Sequence, residues 1–505
     1  MNKIIIIFFV FFFYNHSAFA GDIEVYKNTI LHVKLNDIDL NLGENPVIKI
    51  QISAYPFAGV EYNKSKEFAY EQIAVKQGNI FNVPSLSDIL YMYIYYEGSK
   101  APIGLHYWID NIYIIKAGSN LNIDLNKNDV KFSGEGALIP NVQSEIIQHS
   151  YKVVTSDLKL LNDKAYLRYL QKLDKSGDSA LKLQLRVIES HRLALGEDFA
   201  KVLTANCYGY RYYSQLRSYD LQLRQNEDFF KVFKKYYNEK IKIRVLPKFA
   251  NKILEASPIF TNYLIEEFNV IERMGHYEYS PTLSDSCVRK ILQNINTNFD
   301  GDLRDKLLTI FALRTNKNEA ALCYFDEILK IVKSEKYNTL LVSKIKVKEI
   351  GVPFKNFSLE DETGKRFTLD SFKNQVVVLD FWFTGCENCA ILNKAMKPII
   401  NYFHGNTQIQ FVSVSIDRNK QQWLKSVEMG NYTHDTGINL YTNGEGANHD
   451  LIRYYNITGF PTVFVIKDGI MFSALPPRPS LLVQNGQEFS VNGARLIELL
   501  EKAIN

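Results

Sequence analysis

Residues 376–389 read VVVLDFWFTGCENC, and this stretch decides the fold. Its apolar first half predicts a buried central strand. Further along, apolar residues recur at helical spacing and predict a helix that begins at or just before Cys386; they are Cys389, Leu392, Ala395, Met396, Ile399 and Phe403. The thiols of Cys386 and Cys389 therefore lie three positions apart at a strand-to-helix junction. Such a pair indicates redox chemistry.

The position of the first thiol predicts different roles for the two cysteines. Unpaired backbone N–H groups and the positive end of the helix dipole favour a thiolate at Cys386 and lower its pKa. We therefore expect an exposed Cys386 to be the nucleophile and Cys389, one turn inside, to be the resolving residue. The alternative is half of a zinc site, which needs two further ligands. Because His404, His434 and His449 are scattered and no second CxxC occurs, we predict neither a metal nor another cofactor.

The residues before the CxxC carry a family resemblance. Asp380, Phe381 and Trp382 stand where thioredoxins have a buried acid and an aromatic pair. Other matching segments follow in order along the last third of the chain, at residues 357–359, 361–369, 411–417, 454–462 and 463–469. Here the chain resembles the TlpA/ResA-like thiol-disulfide oxidoreductases, which overlap the AhpC/TSA (redoxin) group, in the multi-domain form of Bacteroidetes-type bacteria. The resemblance implies a C-terminal α/β thioredoxin-like fold and a protein-disulfide oxidoreductase.

Phe460-Pro461-Thr462 matches the cis-proline loop of that family. A proline directly before a strand is also an ordinary way to begin a strand. We favour the cis bond because the CxxC lies upstream, as the resemblance requires. In the thioredoxin fold, the cis peptide places the backbone before the proline beside the CxxC, where it pairs with an extended substrate and excludes a metal. The resemblance thus assigns Trp382, Phe460 and Pro461 to substrate binding.

Asp380 is the third candidate catalytic residue. A carboxylate inside an apolar run is costly to bury as an anion, so we expect a raised pKa. Asp380 would then accept the proton of Cys389 as the mixed disulfide resolves. The alternative is a residue that merely hydrogen-bonds at the strand end. The chain also departs from the family at three places: Gly385 stands where many relatives have tryptophan, Glu387-Asn388 lie between the thiols, and Lys394 stands where a proline is expected after Cys389. A carboxylate at Glu387 disfavours the neighbouring thiolate and predicts a more reducing dithiol.

The first twenty residues predict a cleaved signal peptide. Lys3 supplies a positive charge, residues 4–14 are apolar and aromatic, and Ala18-Phe19-Ala20 is an A-x-A cleavage site. The apolar core is shorter than the about 20 residues that a spanning helix needs. We therefore expect a mature chain that begins at Gly21, lacks a transmembrane segment and works in the periplasm or cell envelope. A CxxC can cycle between dithiol and disulfide there.

The rest of the chain divides by periodicity into two further domains. Residues 21–136 alternate at period two, which predicts an antiparallel β-sandwich. Residues 137–345 follow a helical period and predict an all-α domain, and residues 346–505 form the thioredoxin-like domain. The aromatic clusters at residues 208–213 and 229–233 suit core packing, with a docking surface as the alternative. Cys207, Cys287 and Cys323 suit buried helix positions, with one bridge among them as the alternative.

Together these features predict a periplasmic enzyme that reduces disulfides of envelope proteins or small thiols. A membrane thiol electron donor, implied by the resemblance, would recharge it. The net charge of +4 is spread out, and no basic block with interleaved aromatics suggests nucleic-acid binding. Two alternatives stay open: a non-catalytic envelope binding protein, and an AhpC/TSA-type peroxidase. The peroxidase needs threonine three positions before its cysteine, where this chain has Phe383. The direction of exchange also stays open.

Overall fold

The computed structural model describes residues 27–35, 47–53, 69–74, 79–85, 87–97, 112–126, 129–150, 163–223, 227–276, 283–315, 321, 324–345, 348–455, 457, 459–483 and 487–505. The predicted signal peptide lies outside these residues. The first part is built of strands: β1 Lys27–Leu35, β2 Val47–Ser53, β3 Ala69–Ala74, β4 Asn79–Ser85, β5 Ile89–Glu97, β6 Ile112–Lys116, β7 Asn120–Asn126 and β8 Asp129–Gly134.

These strands form two four-stranded sheets, in the orders β4-β1-β7-β8 and β3-β2-β5-β6. Strand β7 alternates exposed and buried residues, which turns its Leu121, Ile123 and Leu125 into a shared core. The expected sandwich is therefore present. The prediction that it is antiparallel throughout was wrong at one pair, because β1 pairs with β7 in parallel. Period-two alternation reports only which face of a strand is buried, so it carries no information on strand direction.

The middle part is helical. Its helices are α1 Leu138–Gln148, α2 Asp163–Leu195, α3 Glu197–Leu223, α4 Glu227–Tyr236, α5 Asn251–Ala256, α6 Pro258–His276, α7 Asp285–Asn298, α8 Gly301–Arg314, α9 Phe325–Ile331 and α10 Glu335–Ile345, with a π-helical turn at Tyr237–Ile241. Cys207 on α3 is buried and free, and Cys287 on α7 is buried, so the two do not bridge each other. Cys323 lies outside the described residues.

The aromatic clusters of this part serve packing. The side chains of Tyr210, Tyr212 and Tyr213 on α3 and of Phe230 and Phe233 on α4 are buried in one hydrophobic core. Aromatic side chains bury large areas and dominate the energetics of such cores. The packing interpretation is therefore confirmed for these five residues.

The last part contains the remaining elements. Its strands are β9 Ser358–Asp361, β10 Arg366–Thr368, β11 Val376–Trp382, β12 Ile409–Ser415, β13 Ile438–Tyr441, β14 Thr462–Lys467 and β15 Ile470–Ser473. Its α-helices are α11 Glu387–Tyr402, α12 Lys420–Met429, α13 Asp450–Tyr454 and α14 Val491–Ile504, with 3₁₀ turns at Leu369–Phe372 and Gly446–Asn448.

Strand β11 is the centre of this C-terminal part. The seven strands run in the order β10-β9-β13-β12-β11-β14-β15. Strand β11 pairs in parallel with β12 and antiparallel with β14, which confirms the predicted central strand. On one face, Val376 and Val378 pack with Leu392 of α11 and Leu496 of α14. On the other face, Val377 and Leu379 pack with Phe464 of β14, so both faces of β11 are covered.

The mixed architecture of sandwich, helices and α/β sheet is the predicted fold class. The type of secondary structure changes between Gly134 and Leu138, and again between Ile345 and Ser358. The domain limits at 136/137 and 345/346 fall in these intervals and stay predictions. Among the helices within the described ranges, none is both long and apolar enough to cross a membrane.

Candidate active site

The two cysteines lie where β11 gives way to α11. Cys386 is the N-cap of α11, and its Sγ accepts a hydrogen bond from the backbone N–H of Cys389 at 3.2 Å. A disulfide joins the two residues, whose Cα atoms are 5.2 Å apart. The predicted position of the first sulfur at a helix N-terminus is therefore confirmed. A thiolate of Cys386 would sit beside the same N–H group and at the positive end of the helix dipole.

The expected exposure of Cys386 was wrong for this disulfide form. Cys386 is 6% exposed and Cys389 is 2% exposed, so both are buried and the first is only slightly more open. The reason is an aromatic wall that local sequence spacing does not indicate. It consists of Trp382, Trp423 and Tyr441 around the cysteines, with Phe383, Tyr432 and Phe460 packed against this cluster.

A buried carboxylate braces the residue two positions before Cys386. Asp417 follows β12 and accepts hydrogen bonds from the Thr384 backbone N–H at 2.9 Å and from the Thr384 hydroxyl at 2.7 Å. The Ser415 hydroxyl donates to the same carboxylate at 3.0 Å. These charge-assisted bonds fix the loop that delivers Cys386 to the helix start. No periodic pattern pointed to Asp417; its position at the end of the predicted strand 411–417 was the available signal.

Gly385 is explained by the backbone at this loop. Its φ is +92°, a conformation that side-chain-bearing residues rarely adopt, and its N–H donates to the Tyr432 hydroxyl at 3.0 Å. The Tyr432 ring stacks on Trp382 with centroids 4.9 Å apart. Trp382 itself is fully buried in this disulfide form, and binding of substrate by Trp382 stays a prediction. A tryptophan at position 385, which the family resemblance led us to expect, would need a different loop.

The cis-proline loop lies beside the cysteines. The Phe460–Pro461 bond is cis, as the family resemblance implied. The Phe460 ring meets Phe383 edge to face at 5.5 Å, which places this loop next to the β11–α11 connection. Arg478 donates to the Pro461 carbonyl oxygen at 2.7 Å and holds the loop from the other side. Binding of substrate by Phe460 and Pro461 stays a prediction.

Asp380 has the raised pKa that the sequence predicted. The residue keeps slight exposure, yet its Oδ1 is buried and has no hydrogen-bond partner in the described part of the chain. Burial raises its pKa to about 7, while the positive charge of Arg478 opposes this shift. An unbonded Oδ1 speaks against a residue that only ties down the strand end. A proton-accepting role for Asp380 stays a prediction.

The three scattered histidines have separate surroundings. His449 caps α13, where its ring nitrogen accepts from the Leu451 N–H at 3.3 Å. His434 lies half-buried near α11, and His404 is exposed. Within the described ranges, no group of three or more His, Cys, Asp or Glu side chains is arranged to hold a metal ion.

Comparison with known proteins gives the family of this site. A family model described as "Thioredoxin-like" matches residues 374–470. The "Thiol-disulfide oxidoreductase ResA" of Bacillus subtilis (strain 168) is 30% identical over 132 residues, which are 26% of this chain and 68% of that relative. The chain belongs to the ResA-like family of thioredoxin-fold proteins. Its C-terminal part is a thiol-disulfide oxidoreductase of this family, and it carries both cysteines of the CxxC motif.

A second ResA, from Bacillus cereus (strain ATCC 10987 / NRS 248), is 30% identical over 129 residues, 25% of this chain and 69% of that protein. Among solved structures, the thioredoxin domain of a thiol-disulfide oxidoreductase from Bacteroides vulgatus is 23% identical with a TM-score of 0.24. That alignment covers 31% of this chain and 99% of the solved one. The ResA-like relatives thus match about a quarter of the chain.

Proposed function

We propose that this protein is a periplasmic enzyme that reduces disulfide bonds of envelope proteins through Cys386 and Cys389. The observation that carries the proposal is the pairing of these cysteines at the start of α11, next to the Phe460–Pro461 loop. An extended polypeptide can lie along this loop and bring its disulfide to the helix N-terminus. Both cysteines are needed for such exchange, which favours an enzyme over a binding protein that uses the fold as a scaffold.

The reaction proceeds in two exchanges. The Cys386 thiolate attacks one sulfur of the substrate disulfide, which forms a mixed disulfide and releases the first substrate thiolate. Cys389 then gives its proton to Asp380 and attacks Cys386 Sγ, which releases the second substrate thiolate. The substrate gains two electrons and takes two protons from its surroundings, while the enzyme dithiol becomes the disulfide present in this structure. A membrane-held dithiol donor would return it to the reduced form.

Cysteine variants test these roles in an insulin-reduction assay. We expect Cys386→Ser to abolish exchange and Cys389→Ser to accumulate stable mixed disulfides, because only the second thiol can resolve them. Cys207→Ala is the matched control, since this free thiol is buried on α3. Equal alkylation of Cys386 and Cys389 in the reduced enzyme at neutral pH would contradict the assignment.

The direction of exchange is tested by the reduction potential. Equilibration of the Cys386–Cys389 pair with glutathione buffers, followed by thiol labelling, measures it. We expect a value close to the roughly −270 mV of thioredoxin and far from the roughly −120 mV of a strong oxidant. A value near the oxidising end would reverse the proposed direction.

The modular arrangement and the compartment belong to the same proposal. The backbone N–H groups of Gly351 and Phe354 donate to the carbonyls of Met471 and Gly469, so residues just before β9 pack with the C-terminal sheet. A chain of residues 346–505 keeps these bonds, and we expect it to reduce insulin within about tenfold of the full protein. Loss of activity by orders of magnitude in a folded fragment would contradict independent modules.

Cell fractionation with a cytoplasmic marker as control tests export by residues 1–20.

A further inference from the structure

A small cavity lies behind the cysteine pair, between β11, β12 and α11. Asp380, Asn393, Ser413 and His434 contribute polar groups to its wall. Its volume is about 20 Å³. About 10–15 Å³ is enough for one water molecule, provided that the water finds two to four polar partners.

Two buried oxygens in this wall need such a partner. In the described part of the chain, neither Asp380 Oδ1 nor Asn393 Oδ1 has a hydrogen-bond partner. The Asn393 amide nitrogen donates to the carbonyls of Gly430 and Thr433, both at 3.1 Å, so the orientation of the amide is set by the protein. Buried polar atoms are rarely left unbonded, and a water between these two oxygens would give each of them a partner.

The cavity connects in two directions. Towards the active site, Cys389, Leu392, Asn393 and Met396 follow one face of α11, so the cavity begins one helical turn below Cys389. Towards the surface, the wall includes the half-buried side chain of His434, the residue after Thr433. Burial lowers the pKa of His434 to about 4, with Lys397 adding to the shift and Asp435 opposing it. The ring is therefore neutral near pH 7, and a neutral imidazole has one nitrogen that accepts a proton and one that donates.

We propose that one water in this cavity and the His434 ring carry the proton of Asp380 to and from solvent. This inference rests on the proposed function, in which Asp380 takes the proton of Cys389. The O–H bond of Asp380 breaks as the cavity water takes its proton and passes one of its own to a ring nitrogen of His434. The other ring nitrogen releases a proton to solvent, and Asp380 is again a carboxylate. Two groups from neighbouring segments face Asp380. The positive charge of Arg478 lowers its pKa, and His434 lines the same cavity.

A coloured aromatic disulfide that releases one thiolate in each exchange separates the two steps in the stopped-flow spectrometer. The first release reports attack by Cys386, and the second reports resolution by Cys389. With a pKa of about 7, Asp380 carries a proton in part of the enzyme at pH 7, and in that part this proton must leave before Cys389 can give up its own. We expect His434→Gln to leave the first release unchanged and to slow the second release of that part by at least about tenfold, because glutamine cannot relay a proton. His404→Gln is the matched control, since this histidine is exposed and does not line the cavity.

Chemical rescue distinguishes a relay from a structural role. In His434→Ala, added imidazole should restore the second release, because free imidazole can take over the proton at the vacated position. An unchanged first release shows that a variant is folded. If His434→Ala loses the first release, His434→Asn takes its place in the rescue experiment. Equal second-phase rates in His434→Gln and His404→Gln, or no rescue by imidazole, would overturn the proposal. If Asp380→Asn also fails to slow the second release, the proposed role of Asp380 is wrong; if only Asp380→Asn slows it, the His434 route alone is wrong.

Discussion

Two buried aspartates near the cysteine pair have opposite surroundings. Asp417, just after β12, accepts three hydrogen bonds from Thr384 and Ser415. Asp380, in the neighbouring strand β11, has an unbonded Oδ1 and a pKa raised to about 7. The protein therefore surrounds one carboxylate with hydrogen-bond donors, whereas burial of the other penalises its charged form. Burial alone does not decide the role of an acid; the number of donors around it does.

Exchange chemistry benefits from this division. The satisfied carboxylate holds the loop before Cys386, and a fixed geometry favours nucleophilic attack. The unsatisfied carboxylate titrates close to neutral pH, which suits a group that accepts and returns a proton. Glu387 adds a third environment, because this carboxylate is exposed on the first turn of α11. The three acids predict three effects of different size.

The largest effect should come from Asp380→Asn. Below about pH 4, both the folded and the unfolded states hold the Asp380 proton; between about pH 4 and pH 7, only the folded state holds it. Unfolding then releases a proton, so the free energy of unfolding falls as the pH rises through this window. Asp380→Asn removes this loss, and we expect it to be more stable than the native chain by up to about 4 kcal/mol at pH 8.

Urea unfolding at pH 4, 6 and 8, with the disulfide intact, measures this difference. Trp382 and Trp423 report on the C-terminal part, and a Trp108→Phe background removes the third tryptophan. The advantage of the asparagine variant should vanish at pH 4. A constant advantage across the range would show that Asp380 does not titrate in the folded state.

A change of opposite sign is expected from Asp417→Ala. This substitution leaves the Thr384 N–H without its carboxylate partner and removes the brace of the loop before Cys386. A lost charge-assisted bond that leaves a buried donor unpaired costs about 1.5–3 kcal/mol. The same urea experiment measures it, with Glu362→Ala in the exposed β9–β10 turn as control. Equal free energies of unfolding for the two variants would show that Asp417 contributes no more to stability than an exposed acid.

The smallest effect should come from Glu387→Gln. Removal of this exposed negative charge should stabilise the Cys386 thiolate slightly, and solvent screening limits the gain. We expect a reduction potential about 10 mV more oxidising, measured in glutathione buffers with Glu362→Gln as control. A shift above about 60 mV would mean that Glu387 acts through a specific contact with the reduced pair.

Local patterns predicted the parts of the site that adjacent residues build. The apolar run predicted β11, the CxxC spacing predicted the start of α11, and the apolar neighbours of Asp380 predicted its raised pKa. All three are confirmed. The cis bond before Pro461 came from the family resemblance, because the sequence itself also allowed an ordinary strand start.

Contacts between distant residues could not be predicted in this way. Asp417 lies 33 positions from Thr384, and Tyr432 lies 47 positions from Gly385. Such pairs form only when strands and loops have been placed, and a single sequence carries no signal of their proximity. The aromatic wall that buries Cys386 and the parallel pairing of β1 with β7 also join residues that are far apart in the sequence, so they could not be predicted either.

The parallel pair in the first sheet also sets an order of events for a newly made chain. Strand β1 lies between β4 and β7, so the earliest strand among the described residues is an interior one. Its partners are translated later, and the Ile30–Asn120 register closes a long loop with a corresponding entropic cost. The edge of β1 that faces β7 consequently has no partner until β7 has been made, although β4 can pair with the opposite edge earlier.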